Sequence, residues 1–126
     1  MTTSTPDSVR RAGVAAQAAA DKKGTDIVVL DVGEIISITE VFVLVSATNL
    51  RQVRTIVDEI ELTLKITDDE GPRAVEGLAD ATWVLMDYGD FIVHVFLDEA
   101  REFYDLERLW RDVPTVDWRV ADVVGD

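Results

Sequence analysis

Between Trp83 and Phe96 two apolar runs, W-V-L-M-D-Y and F-I-V-H-V-F, meet at Gly89-Asp90. Gly followed by a small acid, flanked by alternating apolar residues, suits a two-residue hairpin turn. This feature constrains the fold most tightly, because a two-residue loop sets the register of both strands at once. Tyr88 then opposes Phe91, Met86 opposes Val93 and Val84 opposes Val95. Side chains alternate between the faces of a strand, so Val84, Met86, Tyr88, Phe91, Val93 and Val95 share one uncharged face that belongs on the core. The other face carries Trp83, Leu85, Asp87, Ile92, His94 and Phe96, and so includes the single histidine of the chain. An apolar sheet face interrupted by polar groups is either covered by a helix or offered to a partner. At the Trp83 end a partner is expected.

The remaining elements follow from periodicity and end signals. Thr5-Pro6-Asp7 opens a helix, with Thr as N-cap, Pro at the first position and Asp near the positive end. It runs through an Ala-rich stretch to Lys22-Lys23-Gly24, with Ala12, Ala16 and Ala20 beside Val9 and Gly13 on its inner face. Asp26 to Val32 is β-branched and reads as a strand, and Val41 to Ala47 is almost wholly apolar, as a central strand covered on both faces would be. Thr48 or Asn49 caps a helix to about Lys65, whose stripe of Val53, Ile56, Val57, Ile60 and Leu64 faces the core. Asp68 to Pro72 reads as a solvated acidic loop, since it lacks the spaced oxygen ligands of a calcium site. Arg73 to Gly77 adds a short strand. After the hairpin, a helix from Glu99 to about Arg111 is expected to bury Phe103, Leu106 and Leu109 or Trp110. The fold class is therefore α/β (α+β): one mixed sheet of four to five strands flanked by helices mainly on one face, with a C-terminal antiparallel hairpin.

Composition narrows the function. Apolar residues make up 48% of the chain, which suits one globular domain, and there is no cysteine for a disulfide or thiolate metal site. The N-terminal M-T-T-S-T-P-D-S lacks the basic and apolar regions of a signal peptide, and no apolar run is long enough for a membrane span, so a cytoplasmic protein is expected. Twenty-five acidic residues against twelve basic ones leave a formal net charge of −13. A phosphate backbone repels such a surface, which argues against extensive nucleic-acid binding; a basic protein is attracted to it. Solubility alone also explains an acidic surface.

Catalytic chemistry finds little support. His94 could act as a base oriented by Asp87, its diagonal neighbour in the hairpin register, but a histidine packed and hydrogen-bonded within the sheet is the simpler reading. The chain has no nucleophile elbow, P-loop or G-x-G-x-x-G fingerprint, and one histidine makes a zinc site improbable. No enzyme activity, metal or cofactor is expected. Trp83 is either a core residue or an interface anchor, since Trp, Tyr and Arg are the side chains that dominate interfaces. Arg101 and Tyr104 share one side of the closing helix at i, i+3.

The chain resembles the Iojap or ribosomal silencing factor family over about Gly24 to Trp110. The resemblance rests on G-T-D-I-V-V-L-D-V (24–32), R-Q-V (51–53), E-G (76–77), W-V-L-M-D-Y-G-D-F-I-V-H-V-F (83–96) and R-E-F-Y-D-L-E-R-L-W (101–110), in matching order and spacing. Two places depart from the family pattern: the entry to the second strand reads Glu40-Val41-Phe42-Val43, and its Ser-Gly exit reads Ser46-Ala47. The resemblance implies a nucleotidyltransferase-like fold; residues 1–112 read as a single silencing-factor domain, and 113–126, about which the resemblance says nothing, read as an acidic tail that Trp118 could pin back. It implies binding to large-subunit ribosomal protein fourteen on the large ribosomal subunit, steric block of small-subunit joining, and repression of translation when nutrients are short. The partner-binding residues would be Trp83, Asp87, His94, Phe96, Arg101 and Tyr104, and the free protein would be a homodimer. The alternatives are a ribosome assembly factor, as in organellar relatives, or a nucleotidyltransferase-like enzyme, for which Asp26, Asp31 and Asp87 are the strand-borne candidates although the paired-aspartate G-S motif is absent.

Overall fold

A computed structural model describes residues 6–33, 39–105, 108 and 111–119. Their elements in chain order are α1 (Pro6–Asp21), β1 (Thr25–Asp31), β2 (Val41–Ala47), α2 (Leu50–Asp68), β3 (Ala74–Glu76), β4 (Trp83–Asp87), β5 (Phe91–Leu97), α3 (Asp98–Tyr104) and β6 (Thr115–Val116). The strands form one sheet in the order β3-β4-β5-β2-β1-β6. β2 and β5 run parallel, joined through α2 and the β3–β4 excursion as a parallel pair requires. The other neighbours are antiparallel.

The hairpin has the register that its turn dictates: Met86 pairs with Val93, Val84 with Val95 and Trp83 with Phe96. Tyr88 N–H donates to Phe91 O at 3.0 Å across a turn whose Gly89 has φ +94°, the left-handed position that Gly takes without steric cost. The turn is also tied to α1, because Asp90 accepts hydrogen bonds from Ser8 at 2.6 Å and from Arg11.

Strand alternation divides the core in two. One face of the sheet carries Val41, Val43, Val45, Val84, Met86, Phe91, Val93 and Val95, all buried against α1 and α2. The α2 stripe of Val53, Ile56, Val57, Ile60 and Leu64 is buried as its period requires, and Asn49 caps the helix by accepting from Gln52 N–H at 2.8 Å. α1 buries more than the expected inner face, adding Ser8, Ala15, Ala18 and Ala19, because side chains this small let it sit close to both α2 and the sheet. It ends at Asp21 with Lys23 in the left-handed position at φ +69° and Gly24 N–H bonded back to Ala19 O. Gly24 serves packing instead: a Cβ there would lie 2.6 Å from Val45. The opposite face holds a smaller cluster of Leu30, Val32, Phe42, Leu44 and Phe96, partly covered by Ala100 and Val113.

Three expectations are corrected. The sheet has six strands, not four to five. Thr115–Val116 pairs with β1 at Val29 and Leu30, a contact too short to leave a periodic signal, and Trp118 behind it is 8% exposed and packed into the α1 side of the core. The helix expected to run unbroken from Glu99 to about Arg111 is interrupted: α3 ends at Tyr104, and Asp105 adopts φ +49°. Phe103 is therefore 80% exposed, whereas Arg101 is buried; Leu106, Leu109 and Trp110 lie outside the described residues, as does the Thr5 cap of α1. The acidic loop is not simply solvated. Asp68 belongs to α2 and bonds Arg10 at 2.7 Å, which holds its carboxyl below the usual range, and Glu70 bonds Arg11 at 2.7 Å.

Candidate functional site

The thinly covered face of the sheet ends in an aromatic cluster built by the hairpin and α3. Trp83, the first residue of β4, stacks on its cross-strand partner Phe96 at 5.1 Å between ring centres, and the Tyr104 ring lies 4.6 Å away on its other neighbour, α3. Indole Nε1 donates to His94 Nδ1 at 3.1 Å. That bond makes Nδ1 an acceptor, so the neutral imidazole carries its proton on Nε2, which has no hydrogen-bond partner among the described residues. Burial pushes the His94 pKa down to about 4, because the low-dielectric surroundings disfavour imidazolium. Phe42 packs edge-on against the same ring at 4.9 Å.

The six expected site residues thus occupy different layers. Trp83 is half-buried and Tyr104 is 48% exposed, and both are accessible at the surface of the cluster, with Phe103 edge-on to Tyr104 at 5.1 Å. Phe96, His94 and Arg101 are buried beneath it. Arg101 donates to Ser46 Oγ at 2.9 Å, fastening α3 to the end of β2. Asp87 stands at the other end of β4, about 13 Å along the strand at ~3.3 Å per residue. Its carboxylate accepts from Gly89 N–H at 2.7 Å and so braces the hairpin turn.

Two hollows flank the cluster. One, of about 290 Å³, is lined by Glu76, Gly77, Trp83 and Leu85. The other, of about 490 Å³, lies where the parallel strands β2 and β5 end, at the Trp83 end of the sheet, and is lined by Asp26, Asp98, Glu99, Glu102 and Asp105 around Arg101. A β-bulge with Asp26 at φ +49° brings the first of these acids to the rim. Sequence reasoning missed Ser46 and the Gly77 turn. A lone serine in an otherwise apolar strand was the signal for the first, and the E-G pair for the second.

The catalytic groups that the sequence offered are not brought together. Trp83, not Asp87, takes His94 Nδ1, and the pKa of His94 lies well below that of a base suited to neutral pH. Asp87 and Asp31 sit on β4 and β1, three strand spacings or about 14 Å apart, and Asp26 is at the far end of β1 from Asp31. No group of three or more His, Cys, Asp or Glu able to hold a metal occurs among the described residues, and no helix there is long and apolar enough to cross a membrane.

Comparisons with known proteins agree on one family. The family described as "Ribosomal silencing factor during starvation" matches residues 5–124. The chain is 38% identical over 106 residues to the Ribosomal silencing factor RsfS of Bacillus subtilis, covering 82% of this chain and 87% of the relative. It is 37% identical to that of Halalkalibacterium halodurans over 82% of this chain and 88% of the relative. A crystal structure from Chromobacterium violaceum superposes with a TM-score of 0.73 at 34% identity, covering 77% of this chain and 80% of that one. With its hairpin, aromatic cluster and acidic rim on this scaffold, the chain belongs to the ribosomal silencing factor family.

Proposed function

We propose that this protein binds the large ribosomal subunit through large-subunit ribosomal protein fourteen and, by occupying that surface, blocks joining of the small subunit and represses translation when nutrients are short. It acts in the cytoplasm as a binding protein, without a catalytic step or cofactor. The observation that carries the reading is the accessible Trp83–Tyr104 pair beside an acid-lined hollow. An amphipathic aromatic anchor with a charged rim suits a folded basic protein, the anchor supplying affinity and the rim steering and specificity. Trp83 and Tyr104 make the contact, His94, Phe96 and Arg101 hold them from beneath, and Asp87 sits at the margin. Sedimentation with separated ribosomal subunits tests the reading. Co-sedimentation with large subunits only, and loss of subunit joining at excess protein, are expected; normal joining overturns it. In the free state the same face pairs two copies about a two-fold axis, the commonest way of covering a self-complementary patch. Light scattering at high concentration should give a dimer that dissociates on subunit binding, and a monomer excludes it.

A further inference from the structure

The chain between β3 and β4, Gly77 to Thr82, contains two left-handed backbones, Gly77 at φ +91° and Ala81 at φ +58°. At Gly77 no side chain fits, since a Cβ would lie 2.2 Å from the Trp83 carbonyl oxygen. Ala81 has a Cβ, is fully buried, and is strained in this conformation. Such a residue persists only where its surroundings over-determine it. Two backbone bonds contribute: Ala81 N–H to Gly77 O at 2.8 Å and Leu97 N–H to Thr82 O at 2.9 Å, the latter tying the turn to the end of β5. The third restraint comes from a side chain. Arg54 of α2 reaches the turn and Nη2 donates to the carbonyls of Leu78 and Ala79 at 3.3 and 3.1 Å.

The turn borders the aromatic cluster. Gly77 lines the 290 Å³ hollow with Trp83 and Leu85, Leu78 is 42% exposed, and Thr82 leads directly into Trp83. α2 packs on the opposite face of the sheet from Trp83. We infer that Arg54 is a positioning residue for partner binding: by clasping the Gly77–Thr82 turn to α2 it holds Gly77 and Leu78 in place beside Trp83. The inference rests on the functional reading above. A turn ordered before contact spares the complex the entropy of ordering it, so the clasp acts on affinity without touching the partner.

The test compares Arg54→Ala and Arg54→Lys with the unmodified protein in three measurements: amide exchange of the free protein at Ala81, melting, and affinity for large ribosomal subunits. Arg54→Ala should speed exchange at Ala81 and weaken subunit binding, each about fivefold for the loss of a typical net hydrogen bond, with little change in melting. Arg54→Lys, which keeps a donor and the charge, should recover part of both. Native exchange at Ala81 in Arg54→Ala overturns the inference even if binding weakens, because the loss would then come from charge alone; faster exchange with native affinity overturns it equally. Should Arg54→Ala fail to fold, Arg54→Met, which keeps an unbranched stem and loses every donor, takes its place: native exchange or native affinity overturns the inference, and a loss of both upholds it. Failure of the unmodified protein to bind large subunits defeats the functional reading, while exchange at Ala81 still decides whether Arg54 holds the turn.

Discussion

Trp83 joins stability to recognition, and its two ends can be separated. Its ring rests on Phe96 and Tyr104, while its Nε1 satisfies His94. Trp83→Phe keeps an aromatic ring on the stack and removes only the donor, leaving His94 Nδ1 buried and unpaired at a cost of about 1–3 kcal/mol in urea unfolding. Trp83→Ala loses the anchor as well, and subunit affinity should fall at least about thirtyfold, the equivalent of ~2 kcal/mol. If Trp83→Phe lowers affinity as far as Trp83→Ala, the ring is not the anchor. His94 also sets a pH response. Its folded pKa of about 4 lies below the ordinary 6.5 because of burial. Between these values the unfolded chain binds a proton that the folded one refuses, so stability falls as pH drops through this window and levels off beneath it, by an amount on the order of 3 kcal/mol. Unfolding measured across pH 7 to 4 should show this slope, and His94→Gln, which keeps an acceptor for the indole, should flatten it.

At the level of elements, a buried arginine fastens α3 to the sheet, while a phenylalanine expected in the core faces outward. Arg101, 7% exposed, reaches Ser46 while Phe103 projects outward at 80% exposure. The chain turns left-handed at Asp105, so a stripe read onward toward residue 110 runs past a helix end. Phe103→Ser should change unfolding free energy by no more than about 0.5 kcal/mol, whereas Arg101→Ala should cost about 2 kcal/mol by removing a charged donor from a buried hydroxyl. Equal effects in chemical denaturation would contradict the placement of α3. Detachment of α3 would also move Tyr104 from Trp83, so Arg101→Ala should weaken binding without altering any exposed group of the cluster.

Over the whole molecule, charge and topology act together. The chain carries a formal −13, and five of its acids gather around the hollow at the Trp83 end of the sheet. Attraction of a basic partner by that field should appear mainly in the association rate, falling about tenfold between low and physiological salt as screening shortens to ~8 Å, while dissociation, governed by the aromatic contact, changes less. Stopped-flow binding at several salt concentrations measures both; a salt-independent association rate would show that the acids serve solubility alone.

The hairpin register, the α2 stripe and the all-buried β2 were legible because each rests on local rules: the handedness of a Gly turn, a period of 3.6, and an uninterrupted apolar run. The pairing of Trp83 with Phe96 follows from the same register, and with it much of the aromatic cluster. What lies across the sheet was not legible. Nothing near Arg101 in sequence signals that Ser46 will receive it, nothing near Arg54 signals the Leu78 and Ala79 carbonyls, and a two-residue strand such as β6 carries no period at all. These contacts join residues far apart in the chain, and their geometry exists only after the sheet has ordered its strands β3-β4-β5-β2-β1-β6. Local periodicity determined which residues of the hairpin, α2 and β2 face inward; only tertiary packing decided which buried polar groups meet, and that Arg101 rather than Phe103 is buried under α3.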